Sequence, residues 1–203
     1  MKYFLILKLT LFFCIIGISQ DCPSFKEHVK NGNIYLQDND FNKAINEYNL
    51  ALQYNENPEL FFNLSKACYQ LNQYKNALAS INKAIDINPT DPNFYFFRAN
   101  IYVDLNYDYS ALNDYTACIL LDPNNVYAHM QRAFCFSANG FQEEAIRDMA
   151  IAIQIDAEDS KAYFIMAKVT GIISNDNPVC LNLSEMVENN NIHAVLVKST
   201  FCL

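Results

Sequence analysis

The chain has 203 residues, of which 52% are hydrophobic and 14% aromatic, with 4 Gly, 6 Pro and a formal net charge of −8. This composition is typical of a globular chain, because disordered chains carry fewer aromatic residues. The scarcity of glycine disfavours a Gly-rich phosphate loop and an all-β fold with many tight turns. Nucleic-acid binding is also disfavoured, since no cluster of Lys or Arg supplies a basic face. The acidic balance favours neutral or basic partners.

The first nineteen residues have the pattern of a secretory signal peptide. Lys2 and Lys8 precede an apolar run over residues 9–18, and small residues follow it. A basic start, an apolar run of this length and a small-residue exit predict export. We expect cleavage after Ser19, or after Gln20, and a periplasmic or secreted protein of the bacterial envelope. The alternative is an uncleaved segment that tethers the protein to a membrane.

From Phe25 onward, small and bulky residues recur with a constant period along the chain. One small column is Gly32, Ser65, Ala99, Ala133 and Ala167. A mostly aromatic column four residues earlier is His28, Phe61, Tyr95, His129 and Tyr163. Three further columns begin at Ala44, Tyr48 and Ala51 and continue through Ala77, Ile81, Ala84, Ala111, Tyr115, Cys118, Ala145, Met149 and Ala152.

Within one repeat, residues of neighbouring columns lie three or four positions apart, which places them on one face of a helix. Small residues let two helices approach closely, while bulky residues fill the space beside them. Each repeat is therefore predicted to be two helices with a short turn, supplied by Asn39-Asp40, Asn72 and Asn139-Gly140. Asp91-Pro92 is expected to start a helix, since Pro is tolerated at the first helical position.

The columns resemble the tetratricopeptide repeat family, whose period of about 34 residues and small/aromatic pattern they match. The resemblance implies an all-α, right-handed superhelical solenoid of about five helix-turn-helix repeats. The expected boundaries are a short segment at 20–24, repeats at 25–57, 58–91, 92–125 and 126–159, a degenerate repeat at 160–191, and a capping helix with the C-terminus at 192–203. Arg98 and Arg132 stand where a Leu is usual.

In this family the first helix of each repeat lines a concave groove, which implies a binding site for a peptide or protein partner. The groove residues implied by the resemblance are Asn33, Phe62, Lys66, Phe96, Asn100, Tyr127, Met130, Phe134 and Phe164. Such an aromatic and amide lining suits an extended or helical peptide with apolar anchors. The alternative is that several of these rings only pack against the neighbouring repeat. The basic clamp for a terminal carboxylate that one subtype uses is largely missing, since only Asn33 and Asn63 match it.

The cysteines divide into a core group and a C-terminal pair. Cys68, Cys118 and Cys135 are expected to be small buried hydrophobes. Cys180 and Cys202 would face each other if the last two helices run antiparallel, and a disulfide persists in an exported protein. Two unpaired thiols are the alternative.

No sequence motif for chemistry or for a bound cofactor stands out. His28 and His129 lie in the mostly aromatic column and are interpreted as structural imidazoles, each with one hydrogen bond. The sequence predicts a non-enzymatic interaction scaffold without a cofactor, metal, nucleic acid or small-molecule substrate. The alternatives are a membrane-tethered accessory subunit of an envelope assembly and, less favoured, an enzyme with a cryptic site.

Overall fold

The computed structural model describes residues 23–156, and within this range the chain consists of helices without strands. The eight helices are α1 (Pro23–Gln37), α2 (Phe41–Leu52), α3 (Pro58–Gln70), α4 (Tyr74–Ile87), α5 (Pro92–Asp104), α6 (Asp108–Leu121), α7 (Val126–Ala138) and α8 (Gln142–Ile155). They form an all-α helical repeat solenoid of four helix pairs. The chain divides into two compact units, and the boundary falls within α5 after Phe97.

The four turns inside the repeats share one backbone design. Asn39, Asn72, Asn106 and Gly140 have positive φ angles of 60°, 58°, 58° and 82°. At each turn the next residue's N–H bonds to the carbonyl five residues earlier, as Gln73 does to Cys68 at 2.9 Å. This is the Schellman motif, which ends a helix with one residue in the left-handed region that Asn and Gly adopt most readily. Three of these turns were predicted, whereas Asn106 was not.

The residue that follows the positive-φ residue in each turn connects the two helices of the repeat. Its carbonyl accepts the first helical N–H of the second helix, at 3.0 Å from Ala77 to Gln73 and at 3.1 Å from Ala145 to Phe141. The reversal therefore takes only a few residues, and the two helices of a repeat pack directly against each other.

The predicted columns form the cores of the two units. All twelve residues of the three columns that begin at Ala44, Tyr48 and Ala51 have a relative exposure of 0% in the four described repeats. Gly32 shows why its column is small, since a Cβ added there would lie 2.7 Å from the Tyr48 ring. Helix–helix distance at this point is set by the small residue, and the bulky residue opposite fills the space.

The first helices begin at polar caps followed by apolar residues. Asn57 caps α3 by accepting the Glu59 N–H at 2.8 Å, and Asn125 caps α7 by accepting the Ala128 N–H at 3.0 Å. The predicted start at Asp91-Pro92 is confirmed, because α5 begins at Pro92 and Asp91 accepts the Asn93 N–H at 2.9 Å. These caps satisfy backbone donors that a helix leaves unpaired.

Some expectations lie outside the described residues. They are the signal peptide at 1–19, the fifth repeat, the capping helix, Phe164, and the Cys180–Cys202 pair. Among the helices of residues 23–156, none is long and apolar enough to cross a membrane.

Candidate functional site

The first-helix face is the surface on which the sequence analysis placed the partner, and in the first unit it includes Asn33. The Tyr48 hydroxyl of α2 donates to Asn33 Oδ1 at 2.8 Å, and Asn63 Nδ2 lies 3.5 Å from the same oxygen. Burial raises the pKa of Tyr48 to about 12, so its hydroxyl stays protonated and remains a donor. With the carboxamide oxygen occupied, Asn33 retains its amino group as a hydrogen-bond donor.

Phe62 and Lys66 lie on α3 in the same unit, and both are half-buried. The Phe62 ring packs against Phe94 at 5.1 Å and against Phe97 at 5.5 Å between centroids. Lys66 Nζ lies 4.8 Å from the Phe62 centroid, and burial lowers the pKa of this ammonium group. Phe62 therefore packs between α3 and α5. This agrees with the alternative interpretation from the sequence, in which such rings pack against the neighbouring repeat.

The second unit repeats the amide arrangement and adds exposed aromatic rings. The Tyr115 hydroxyl donates to Asn100 Oδ1 at 2.6 Å, as Tyr48 does to Asn33. On α7, Tyr127 is 50% exposed and Phe134 is 47% exposed. They are seven residues apart, so they lie on one side of the helix.

Two further groove predictions have different outcomes. Met130 was expected to line the groove, but it is 2% exposed and belongs to the core. The 2% exposure places its unbranched side chain among the core residues, where methionine fills irregular gaps. Phe96 is half-buried on α5.

Two arginine–aspartate pairs occupy positions that the sequence analysis left unexplained. Arg98 donates to Asp114 from Nε at 2.7 Å and from Nη2 at 2.8 Å. Arg132 donates to Asp148 from Nε at 2.6 Å and from Nη2 at 2.7 Å. Both are bidentate, and each joins the two helices of one repeat.

These pairs explain why Arg is tolerated where Leu is usual. Asp114 and Asp148 are 6% and 3% exposed, so each needs a partner for its charge. The signal that could have revealed them is that the arginine and the aspartate have the same sequence separation in two consecutive repeats. In the second repeat the same two positions hold Leu64 and Ser80, which are also buried.

The two histidines of the mostly aromatic column each contact an acidic side chain, and the two acidic residues occupy equivalent positions in their repeats. His28 Nδ1 lies 2.7 Å from Glu47 Oε2, and His129 Nδ1 lies 3.3 Å from Asp148 Oδ1. His129 Nε2 also donates to the Pro123 carbonyl at 3.1 Å, so this imidazole has two contacts where one was expected. Burial alone would raise the pKa of Asp148, but hydrogen bonds from Arg132 and His129 outweigh it and lower that pKa.

The described cysteines are placed for packing rather than for nucleophilic chemistry. Cys68 and Cys135 are 3% exposed and Cys118 is fully buried, as predicted. Burial raises the pKa of Cys135 to about 11, with a further contribution from the Asp108 charge, and burial also raises the pKa of Cys68. Such thiols stay protonated at neutral pH and are poor nucleophiles. Within residues 23–156, no group of three or more His, Cys, Asp or Glu side chains is arranged to hold a metal.

Comparisons with known proteins agree with the observed repeats. A family model described as a TPR repeat matches residues 65–106, and one described as a tetratricopeptide repeat matches residues 32–58 and 92–125. A TPR repeat-containing protein of Methanocaldococcus jannaschii is 36% identical over 86 residues, which cover 42% of this chain and 15% of that protein. The chain spans between 15% and 29% of the length of the curated relatives it matches.

Solved structures show the same fold at low sequence identity. A crystal structure of MamA protein has a TM-score of 0.68 at 16% identity, covering 89% of this chain and 96% of that chain. A crystal structure of YrrB, described as a TPR protein with an unusual peptide-binding site, has a TM-score of 0.62 at 17% identity, covering 85% and 90%. With the periodic columns, the buried small residues and the four Schellman turns, the family-model matches show that this chain contains tetratricopeptide repeats, and the solved structures show the same fold.

Proposed function

We propose that this chain is an exported, non-enzymatic scaffold that binds a peptide or protein partner on the first-helix face of its repeats. The presence of tetratricopeptide repeats supports a role in protein–protein interaction. Export, to the periplasm or the medium, rests on the basic and apolar pattern of residues 1–19.

One observation carries the placement of the partner: the buried tyrosine hydroxyl that holds an asparagine amide, found in two separate repeats. Tyr48 holds Asn33 and Tyr115 holds Asn100, with oxygen–oxygen distances of 2.8 and 2.6 Å. An amide fixed in this way loses little side-chain entropy on binding. It can donate to a backbone carbonyl of an extended peptide, which gives affinity without a strict sequence requirement.

The exposed rings of α7 supply the apolar part of the proposed surface. Tyr127 and Phe134 are about half exposed. Aromatic side chains are enriched among residues that dominate binding energy at interfaces. A partner that covers them would bury apolar area now in contact with water.

The test is a pull-down from the native envelope and culture-medium fractions with the purified mature chain as bait, read by mass spectrometry. The variant is Tyr127→Ser with Phe134→Ser, which leaves the described core columns intact. The matched control is Leu50→Ser with Leu120→Ser, because these exposed apolar residues lie on second helices. A partner retained by the wild type and the control but lost by the variant is expected. Equal loss in both variants, or equal retention, would contradict the proposed face.

Export itself needs a separate measurement. The mass of the chain recovered from its native host is expected to correspond to cleavage after Ser19 or Gln20. A full-length mass in the membrane fraction would instead support the tethered accessory subunit and would leave the binding face to be tested as above.

A further inference from the structure

A cleft of about 360 Å³ lies at the turn of the third repeat, on a part of the second unit that the first-helix face does not include. It is lined by Asn106, Tyr107, Asp108, Tyr109 and Ser110. The rings of Tyr107 and Tyr109 are 57% and 68% exposed, so the cleft has aromatic walls open to solvent.

The backbone of this cleft is fixed by the Schellman turn. Asn106 has a φ of 58°, and the N–H of Tyr107 donates to the Tyr102 carbonyl at 2.8 Å. The Tyr107 ring lies beside the Tyr102 ring with 6.3 Å between centroids. This contact accompanies the motif and holds one wall in place before any ligand binds.

The charge of the cleft is negative. Asp108 lies between the two tyrosines in sequence, and among the described residues its carboxylate forms no ion pair. It is the first residue of α6, where the helix dipole contributes a partial positive charge of about half a unit, so the carboxylate leaves an excess of negative charge. Turn residues 104–110 contain no Lys or Arg.

The rest of the described part of this unit does not neutralise this charge. Residues 98–156 contain eight carboxylates and three basic residues, which are Arg98, Arg132 and Arg147. Arg98 and Arg132 are already bound to Asp114 and Asp148. Residues 98–156 therefore carry a net negative charge, and a ligand that brings positive charge is favoured.

We propose that this cleft receives an arginine or lysine side chain from a basic segment of a partner protein. A guanidinium or ammonium group is attracted both by the faces of aromatic rings and by a carboxylate, and the cleft combines the two. The other described repeats lack this combination, because Asn42, Lys75 and Glu143 occupy the position of Tyr109. Lys75 in particular reverses the charge of the corresponding turn in the first unit.

The test measures binding of two fluorescent peptides to the full mature chain by anisotropy at low ionic strength. One peptide alternates Arg with Gly, and the other has Glu in place of every Arg. The variants are Asp108→Asn and Tyr109→Ser. Their matched controls are Asp86→Asn, an exposed carboxylate of the first unit, and Leu120→Ser, an exposed apolar residue on a second helix of the second unit.

The arginine peptide is expected to bind and the glutamate peptide not to bind. Each cleft variant should weaken binding by about two- to fivefold, the effect of one exposed cation–π contact or one surface charge pair, while the controls leave it unchanged. Equal weakening by Asp108→Asn and Asp86→Asn would show a general field effect and overturn the proposal. So would binding of the glutamate peptide. A helical circular dichroism spectrum and an unchanged melting temperature for each variant establish that any loss is local.

Discussion

The two compact units of this chain build the same helical columns with different chemistry. In residues 23–97 every basic residue is a lysine, whereas in residues 98–156 every basic residue is an arginine. The first unit joins α3 to the start of α5 through edge-to-face contacts of Phe97 with Phe62 and Tyr69, and the second joins its helix pairs through bidentate ion pairs. Because the columns fix the spacing of the helices, the remaining contacts between helices can be aromatic or ionic, as long as each buried polar group has a partner.

The largest effect is expected from breaking one ion pair. Replacing that pair with the two residues that the second repeat has at these positions should reverse most of the effect. Asp114→Ser leaves Arg98 buried without its carboxylate, and we expect a loss of about 3 kcal/mol in the free energy of unfolding. The double variant Arg98→Leu with Asp114→Ser copies Leu64 and Ser80, and should recover most of that loss. Urea denaturation followed by circular dichroism measures both. A double variant as unstable as the single one would show that the ion pair is required by its surroundings and not only by charge balance.

The next effect tests the close helix approach in the first unit. Gly32→Ala places a Cβ 2.7 Å from the Tyr48 ring, and overpacking costs about 1–3 kcal/mol, which exceeds the roughly 1 kcal/mol that Ala gains over Gly in a helix. The third repeat carries Ala99 opposite Tyr115 at the same positions, with both side chains buried. Ala99→Gly should therefore be destabilising as well, by about 1 kcal/mol from helix propensity. A Gly32→Ala variant more stable than wild type in thermal melts would contradict the account.

Acid should affect the second unit through Asp148. The folded-state pKa of this group is lowered, so its stabilising contribution is complete above the unfolded pKa of about 3.9 and is lost as the pH falls through the folded value. Asp148→Asn should be clearly less stable than wild type at neutral pH, and the difference should shrink below about pH 4. Denaturation curves of both proteins across this range test it. A difference independent of pH would mean that the carboxylate charge is not what Asp148 contributes.

The smallest effect concerns the shared turn. Asn106→Gly should stabilise the second unit by about 0.5 kcal/mol, since Gly adopts a positive φ at less cost than Asn. The control is Asn139→Gly, where φ is −98° and the side chain donates to the Cys135 carbonyl at 2.8 Å. That change should lower the melting temperature. Destabilisation at Asn106 would indicate that its side chain has a role beyond the turn.

The sequence predicts the columns well because they follow one geometric rule repeated along the chain. Ala44, Tyr48 and Ala51 are buried for the same reason as their counterparts in each later repeat. Asn106 escaped notice because the segment Asn106-Tyr107-Asp108 has aromatic residues around it and less turn character than Asn139-Gly140. A turn at this position nevertheless follows from the period itself.

Contacts between helices were harder to predict than burial. The partners Asp114 and Asp148 lie on the second helix of their repeats, across a turn from their arginines, so no single-helix pattern reveals them. Met130 shows the same limit, since the position of a residue on a helix does not by itself determine how exposed its side chain is. Phe62 was expected on the partner surface, but its role depends on the neighbouring rings of Phe94 and Phe97, which only the structure brings together.

The central claim is that amides held by buried tyrosines donate to the partner, and an Asn→Asp exchange tests it most directly. Asn33→Asp with Asn100→Asp keeps an oxygen to accept the Tyr48 and Tyr115 hydroxyls but removes the amino group. Asn46→Asp with Asn113→Asp adds the same charge on exposed positions of second helices. Measured by calorimetric titration of the captured partner, the first pair should weaken affinity by about tenfold or more while the second leaves it within about twofold, because a lost donor to a paired group costs about 1–3 kcal/mol. Equal affinity for both double variants would contradict the claim.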